Sequence, residues 1–426
     1  FLQLVFFLAI FSYPINIFNS KLIIKMNDVN IYFITSINVI IHFTIYLIVS
    51  LTKLNIEYFF YAEILTFFIF ILLYKNKIWD TVKKINVNDY RYFFIFILFN
   101  ILFFLAIAIY PKLQWDGLAH WIFKAKIFYD GGNYFDFKNN IPFAYYPHLG
   151  TFVWGYFWKN SLLDFEYIGR FIYPFLYLLS IFLIASCVFQ NKEQLIKKIL
   201  LTIFLITISV DFFLFGGYQE YLLFFLFSIM GFNIILYFVY PNNTIFLYLI
   251  GFNLNLICWS KQEGFFYTII IGMTLSIFSY RNIKNLSILL IFTILICTFS
   301  LLIKSYVIEA YFFNEKIINP EILKYLDIAI LYNDLIIIIK HLVISAFKYP
   351  IILMEILLLL FFVKQIKTIL DKYFYTLFFI NILFVFSIYL QTSIDIEYLL
   401  PITLDRILLQ TSSIYLIYLA NKLRSF

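Results

Sequence analysis

Three side chains that could take part in proton transfer or phosphate chemistry recur every fourth residue in the stretch WDGLAHWIFKAK (115–126). They are Asp116, His120 and Lys124, and helical spacing places them on one face. A carboxylate can accept a proton from a hydroxyl, and an ammonium can stabilise a negatively charged leaving group. The alternative is an interfacial helix whose charges are only solvated, because Trp115 and Trp121 also suit a membrane–water interface.

Further polar residues interrupt the apolar sequence in short stretches downstream. The stretches are AYYPHLG (144–150), GGYQEY (216–221), CWSKQEG (258–264) and LDRILLQ (404–410). Charges are costly inside a bilayer, so such residues indicate an interface or a wet cavity. The candidate binding residues are His120, Trp121, Lys124, Tyr146, His148, Glu220, Lys261, Glu263 and Arg406. A helix cap at Glu220 and a local Asp405–Arg406 pair remain alternatives.

The composition identifies the environment in which these residues lie. Of the 426 residues, 64% are hydrophobic and 13% are charged, and the mean hydropathy is +0.93. A soluble domain is about half apolar and about one quarter charged. Most apolar runs reach the roughly 17 to 25 residues that a membrane-spanning helix needs, whereas a β-barrel would alternate apolar and polar residues. The sequence therefore predicts an all-α, polytopic transmembrane bundle.

We predict about 11–13 spans in one membrane-embedded domain, with amphipathic helices in the outer loops. The predicted spans lie near residues 1–19, 29–52, 57–74, 92–110, 165–190, 198–215, 220–240, 245–259, 264–280, 285–304, 349–363, 373–391 and 404–420. The corresponding segments are N-terminal spans (1–110), a first large outer loop carrying Asp116 (111–164), central spans (165–304), an outer amphipathic loop (305–348) and C-terminal spans (349–426).

The distribution of Lys and Arg predicts the orientation of the chain. The basic loop KNKIWDTVKKINVNDYR (75–91) is expected on the cytoplasmic side, because short cytoplasmic loops are enriched in Lys and Arg. Alternating outward from it places all the candidate stretches on the opposite face. The net charge of +7 then reflects membrane orientation, and we expect no nucleic-acid partner. The predicted site faces the periplasm or cell exterior from the cytoplasmic membrane.

The motifs WDG..HW..KAK, YYPHL, GYQEY, KQEG and LDRILLQ, in this order, resemble bacterial membrane glycosyltransferases of the GT-C superfamily from about residue 110 onward. The first four spans match no motif of that family. The resemblance implies a polyprenyl-phosphate sugar donor and a lipid, glycan or protein acceptor outside the cytoplasm. It also implies that Asp116 is the general base, and that Lys124, Lys261 or Arg406 stabilises the leaving lipid phosphate.

The sequence departs from family members that carry paired acids in this loop, because Gly117 follows Asp116. A divalent metal is therefore an open alternative rather than an expected cofactor. The acid-x-acid stretches DFE (164–166) and DIE (395–397) are too short to indicate a metal site. Two rival functions remain: a polymerase or ligase of surface polysaccharide, which would depend on outer arginines such as Arg170, and a lipid or oligosaccharide transporter.

Overall fold

The computed structural model describes residues 31–52, 54–84, 87–137, 146–189, 194–279, 282–308, 328–390 and 395–424. In chain order the α-helices are α1 (Ile31–Ser50), α2 (Ile56–Lys84), α3 (Val87–Ile109), α4 (Ile122–Tyr129), α5 (Leu149–Lys159), α6 (Glu166–Arg170), α7 (Ile172–Val188), α8 (Leu195–Ser209), α9 (Glu220–Val239), α10 (Ile245–Cys258), α11 (Gln262–Phe278), α12 (Ile283–Ile308), α13 (Ile328–Lys348), α14 (Pro350–Phe362), α15 (Ile369–Leu390) and α16 (Ile396–Arg424). The described part of the chain contains no strand, which confirms the predicted all-α polytopic bundle.

Seven helical segments in the described ranges are long and apolar enough to cross a membrane. They are Ile31–Ser50, Arg91–Ile109, Glu166–Val188, Glu220–Val239, Ile283–Ser305, Ile330–Lys348 and Ile369–Leu390. The predicted spans near 57–74 and 404–420 lie in the 29-residue helices α2 and α16. Four other predicted spans form the shorter helices α8, α10, α11 and α14. Helix α8, with 15 residues, is about 22 Å long, less than the roughly 30 Å of a hydrocarbon core. The predicted span near residues 1–19 lies outside the described residues.

Helix α13 differs from the sequence expectation for residues 305–348, which was an outer amphipathic loop. Most of its residues, from Ile330 to Lys348, form one continuous helix of sufficient length and hydropathy to span a membrane. The apolar run AILYNDLIIIIKHLVISAF (329–347) contains isolated charged residues. In the sequence alone, these charges favour an amphipathic helix over a membrane span.

The centre of the bundle is formed by α7, α9 and α16, which pack against one another. In an 18-residue apolar stretch within Glu166–Val188, 94% of the residues are buried, compared with 22% in the corresponding stretch of Arg91–Ile109. Small residues allow the close approach of the central helices. A Cβ added to Gly231 would lie 2.9 Å from the Ile414 carbonyl oxygen, and the Ser413 hydroxyl donates to the Phe224 carbonyl at 2.5 Å.

Several polar segments meet at one end of this bundle, which we call the site end. It contains the start of α9, the turn between α10 and α11, and the first part of α16, joined by ion pairs of Glu220 with Lys261 and Arg406. At the opposite end, Lys422 pairs with Asp371. Arg406 and Lys422 both lie on α16, and their separation of sixteen positions corresponds to about 24 Å of helix.

Candidate functional site

Asp116 is positioned by a short π-helix, Gly117–Trp121, that begins directly after it. The Ile122 N–H donates to the Gly117 carbonyl, and this five-residue repeat widens the helix before α4 begins. Single π-turns inside helices occur frequently at functional sites. Asp116, His120 and Lys124 are all buried. The predicted polar face therefore exists, but it faces the protein interior rather than solvent.

Arg406 lies at the centre of a group that we call the ion cluster: Asp116, Tyr218, Glu220, Lys261 and Arg406. Its Nη2 atom pairs with Asp116 Oδ2 and lies 2.5 Å from Glu220 Oε1. Its Nε atom donates to the same Glu220 oxygen at 2.7 Å. Segments more than 100 residues apart thus contribute to a single network, and one guanidinium is shared by two carboxylates.

Lys261 holds Glu220 from the other side. Its Nζ donates to Glu220 Oε1 at 2.9 Å and lies 3.6 Å from Glu263 Oε1. Burial lowers the pKa of Lys261, but the charges of Glu220 and Glu263 outweigh this effect and raise the pKa above its ordinary value. Lys261 therefore remains an ammonium, and Glu263, whose side chain is 25% exposed, forms the open edge of the cluster.

Tyr218 belongs to the ion cluster although it was not among the candidate residues predicted from the sequence. The Arg406 guanidinium carbon lies 4.6 Å from the centroid of its ring, a cation–π arrangement that fixes the plane of the guanidinium. Its hydroxyl accepts a long hydrogen bond from the Asp116 backbone N–H at 3.5 Å. Burial and the Asp116 charge raise the pKa of Tyr218 to about 12. In the sequence, the only indication that Tyr218 belongs to the site was its position two residues before Glu220.

Two glycines bring the Asp116 loop into contact with the loop before α9. A Cβ on Gly117 would lie 2.2 Å from the Gly216 carbonyl oxygen, so only glycine fits there without displacing the backbone. The Gln114 N–H also donates to this oxygen, at 3.1 Å. Gly217 has a φ of +86°, which disfavours other residues. The turn residues in WDG and GGY thus set the distance between Asp116 and Arg406.

Burial controls the protonation of the acid and the imidazole next to the cluster. Desolvation raises the pKa of Asp116 above its ordinary value, and the Arg406 charge opposes this rise. The pKa of His120 is lowered by burial, while Asp116 raises it and Lys124 and Arg406 lower it further. His120 therefore lies within electrostatic reach of both Asp116 and Lys124 and connects the two parts of the site.

The second part, the aromatic–lysine group, consists of Trp121, Lys124, Tyr146, His148 and Trp259. Lys124 Nζ donates to the Tyr146 carbonyl at 3.1 Å and lies 5.3 Å from the Trp121 ring centroid. The Trp121 and Tyr146 rings are stacked at 5.7 Å. Burial, with a further contribution from Lys304, places the pKa of Lys124 well below its ordinary value.

His148 lies deeper in the protein than its place in the predicted outer loop suggested. Its Nε2 atom is 2.7 Å from the Ser50 hydroxyl, and its ring packs edge-on against Trp259 at 5.2 Å. Burial, with the Lys124 and Lys304 charges, places its pKa well below the ordinary value. This places His148 inside the protein, between the candidate site and α1. Sequence analysis missed Trp259 and Lys304, which pack together at 5.3 Å.

The structure also places the residues on which the alternatives depended. Arg170 is fully buried, and its guanidinium donates to the Pro111 carbonyl at 2.7 Å and pairs with Glu166 at 3.3 Å. It is an anchor for the start of the Asp116 loop rather than an accessible cation. Asp164 accepts hydrogen bonds from Tyr129 and Trp158. Among the described residues, no group of three His, Cys, Asp or Glu is placed to hold a metal ion.

The site end contains two adjoining parts, the ion cluster and the aromatic–lysine group. All ten candidate residues belong to one of these parts, lie at its edge or lie between the two. The ion cluster, with Glu263 at its edge, offers a carboxylate beside two cations, and the aromatic–lysine group offers ring faces beside a buried lysine, Lys124. Comparison with known proteins gave no match to any family model, curated protein or solved structure. The function must therefore be argued from this geometry and from the sequence resemblance.

Proposed function

We propose that the chain is a membrane glycosyltransferase that moves a sugar from a polyprenyl-phosphate donor to an acceptor outside the cytoplasm. The observation that carries the proposal is the buried contact of Asp116 with Arg406, itself held by Glu220 and backed by Lys261. A carboxylate next to two fixed cations can supply a base for the acceptor and positive charge for the leaving phosphate. The acceptor is a lipid, glycan or protein hydroxyl, and the site faces the periplasm or cell exterior.

In this reaction Asp116 takes the proton of the acceptor hydroxyl as the acceptor oxygen forms a bond to C1 of the sugar. The bond between C1 and the phosphate oxygen breaks, and the electron pair leaves with the lipid phosphate. Arg406 and Lys261 stabilise the charge that develops on that phosphate. Burial raises the pKa of Asp116 above its ordinary value, which makes it a stronger base than an exposed carboxylate.

The aromatic–lysine group suits the sugar and the lipid headgroup. Aromatic rings provide flat apolar faces against which the C–H faces of a sugar ring can pack, and Trp121 and Tyr146 present two such rings side by side. Trp115, which is 67% exposed, lies edge-on to His120 at 5.0 Å. An exposed tryptophan suits the interfacial depth at which a polyprenyl phosphate enters from the outer leaflet.

The test is sugar transfer from radiolabelled polyprenyl-phosphate sugars in membranes that carry equal amounts of wild type or Asp116→Asn. We expect transfer with the wild type and a loss of at least about 100-fold with the variant, a typical effect of removing a base in general acid–base catalysis. The matched control is Asp164→Asn, because Asp164 is a carboxylate of the same loop that bonds only Tyr129 and Trp158 among its described contacts.

The outcomes separate the proposal from its rivals. Transfer that survives in Asp116→Asn would assign the base to another residue. Absence of transfer from every polyprenyl-phosphate sugar, together with polymer growth from lipid-linked oligosaccharide, would favour a polymerase or ligase. Movement of intact lipid-linked sugar across vesicles without new glycosidic bonds would favour a transporter, for which the buried Glu63–His42 pair would then be the first residues to test.

A further inference from the structure

The ion cluster contains one guanidinium and two carboxylates, but the two carboxylates hold it in different ways. Glu220 receives two contacts from Arg406, from Nε at 2.7 Å and from Nη2 at 2.5 Å. It is 2% exposed and is also bound by Lys261. Releasing Glu220 would leave a buried charge beside an unneutralised lysine, which is costly. Glu220 is therefore the permanent partner of Arg406.

Asp116 holds Arg406 at a single nitrogen, Nη2. Its side chain is 11% exposed, compared with 2% for Glu220. Asp116 lies in the helical turn directly before the π-helix. Of the two carboxylates, Asp116 is the one that another anion can replace while Lys261 keeps its partner Glu220.

The guanidinium is kept in place while this exchange occurs. Tyr218 supports one face of Arg406 at 4.6 Å, and Glu220 fixes its Nε edge. The Nη2 position therefore presents a fixed donor to whichever anion occupies it. A planar guanidinium of this kind binds carboxylates and phosphates with similar geometry.

We propose that the Asp116–Arg406 ion pair is a latch, which the phosphate of the lipid donor opens by taking the place of the Asp116 carboxylate on Arg406. This inference rests on the proposed function and adds how the donor activates the base. The phosphodiester of a polyprenyl-phosphate sugar carries one negative charge, so the exchange replaces one anion by another of equal charge. Asp116 then turns toward the acceptor hydroxyl.

The exchange also makes Asp116 a better base at the moment when a base is needed. Burial raises the pKa of Asp116 and the charge of Arg406 holds it down. When phosphate neutralises Arg406, that opposing effect weakens and the carboxylate binds a proton more tightly. Substrate binding and base activation are thus the same event, and an unloaded site keeps its carboxylate neutralised.

The latch predicts an unusual result: removing Asp116 should tighten phosphate binding while abolishing transfer. The measurement is calorimetric titration of the purified, detergent-solubilised full chain with farnesyl phosphate, a short prenyl monophosphate. We expect Asp116→Asn to bind at least about fivefold more tightly than wild type, because a competing intramolecular anion reduces apparent affinity. Asp116→Ser, which also removes the charge, should give the same tightening if the asparagine variant folds poorly.

Two further variants test whether the change in affinity depends on Arg406. Arg406→Gln should lose at least about tenfold in affinity, because it removes the cation that both anions share. Asp405→Asn should leave the affinity unchanged, because Asp405 pairs with Lys348 although it is adjacent to Arg406 in sequence. Inorganic phosphate and farnesol serve as separate ligands, and the latch requires the phosphate-dependent part of binding to change in the Asp116 variants.

Equal or weaker binding of farnesyl phosphate by both Asp116 variants would overturn the latch, whatever the transfer assay gives. Tightening in these variants, with no sugar transfer from any donor to any acceptor, would uphold the latch and reject the proposed transferase. Tightening toward inorganic phosphate alone would also overturn it as a lipid-donor latch, because the anion recognised would then be free phosphate. The two failures are therefore distinguishable.

Discussion

The two ends of α16 each carry an ion pair between a basic residue of this helix and a carboxylate from elsewhere, yet the pairs are built differently. Lys422 lies 2.5 Å from Asp371 Oδ1. Asp371 also accepts hydrogen bonds from the backbone N–H of Lys367 and Thr368 and from the Tyr418 hydroxyl. That carboxylate has several donors for one charge and caps the start of α15.

At the site end the ratio of donors to carboxylates is reversed. One cation, Arg406, is shared by two carboxylates, Asp116 and Glu220. A carboxylate with many donors is a stable structural element, whereas a cation shared by two carboxylates has one partner that can be exchanged. A buried ion pair alone therefore does not indicate function. The number of partners on each side separates a helix cap from a site that can accept a substrate.

The largest difference between the ends is expected on removing the basic residue of each pair. Arg406→Gln leaves Asp116 and Glu220 with too little positive charge, so we expect a loss of about 3–5 kcal/mol of stability and at least a 100-fold loss of transfer. Lys422→Gln should cost about 1 kcal/mol, because Asp371 retains its other donors, and should leave transfer unchanged. Unfolding by SDS titration and the transfer assay measure both quantities.

Similar losses of transfer in the Arg406 and Lys422 variants, at equal amounts of folded protein, would contradict the distinction between the two ends. Such a result would mean that the stability of α16 as a whole, rather than the ion cluster, controls activity.

A smaller effect should distinguish the two carboxylates that contact Lys261. Glu220→Gln leaves two buried cations facing each other, and we expect a loss of about 3 kcal/mol of stability. Glu263→Gln should cost less than about 1 kcal/mol, because this side chain is 25% exposed and 3.6 Å from Lys261 Nζ. The same SDS titration measures both. Equal losses would show that the cluster extends further toward Glu263 than its exposure indicates.

The smallest effect is expected at Tyr218. Tyr218→Phe keeps the ring beneath Arg406 and removes only a 3.5 Å hydrogen bond, so donor KM should change by less than about twofold. Tyr218→Leu removes the ring, and the loss of a cation–π contact of about 1 kcal/mol should raise KM about fivefold with a smaller change in kcat. A change of equal size in both variants would assign the effect to the hydroxyl instead of the ring.

Sequence reasoning predicted which segments meet, because the distribution of basic loops places their ends on one face. The convergence of Asp116, Glu220, Lys261 and Arg406 at one end of the bundle follows from that rule. Their pairing could not be predicted, since it depends on helix rotations that apolar sequences leave undetermined. An α-helical spacing was expected through Asp116, His120 and Lys124, and the π-helix has no recognisable sequence signal.

The missed residues have a common physical explanation. Tyr218, Trp259 and Lys304 occur among many Tyr, Trp and Lys residues that suit membrane interfaces, so their types alone carry little information. His148 was expected only as a candidate binding residue of the first large outer loop, but its partner Ser50 is 98 residues away. Contacts of this kind become visible only when the packing of α1 against α5 is known.

The contact between Gly117 and Gly216 has a consequence for how quickly the site can respond. Because the two backbones touch, the loop that carries Asp116 has no room to slide toward the loop before α9. Opening of the proposed latch is then a rotation of the Asp116 side chain rather than a collective domain movement in microseconds to milliseconds. The response of the site is therefore not limited by such a slow backbone movement.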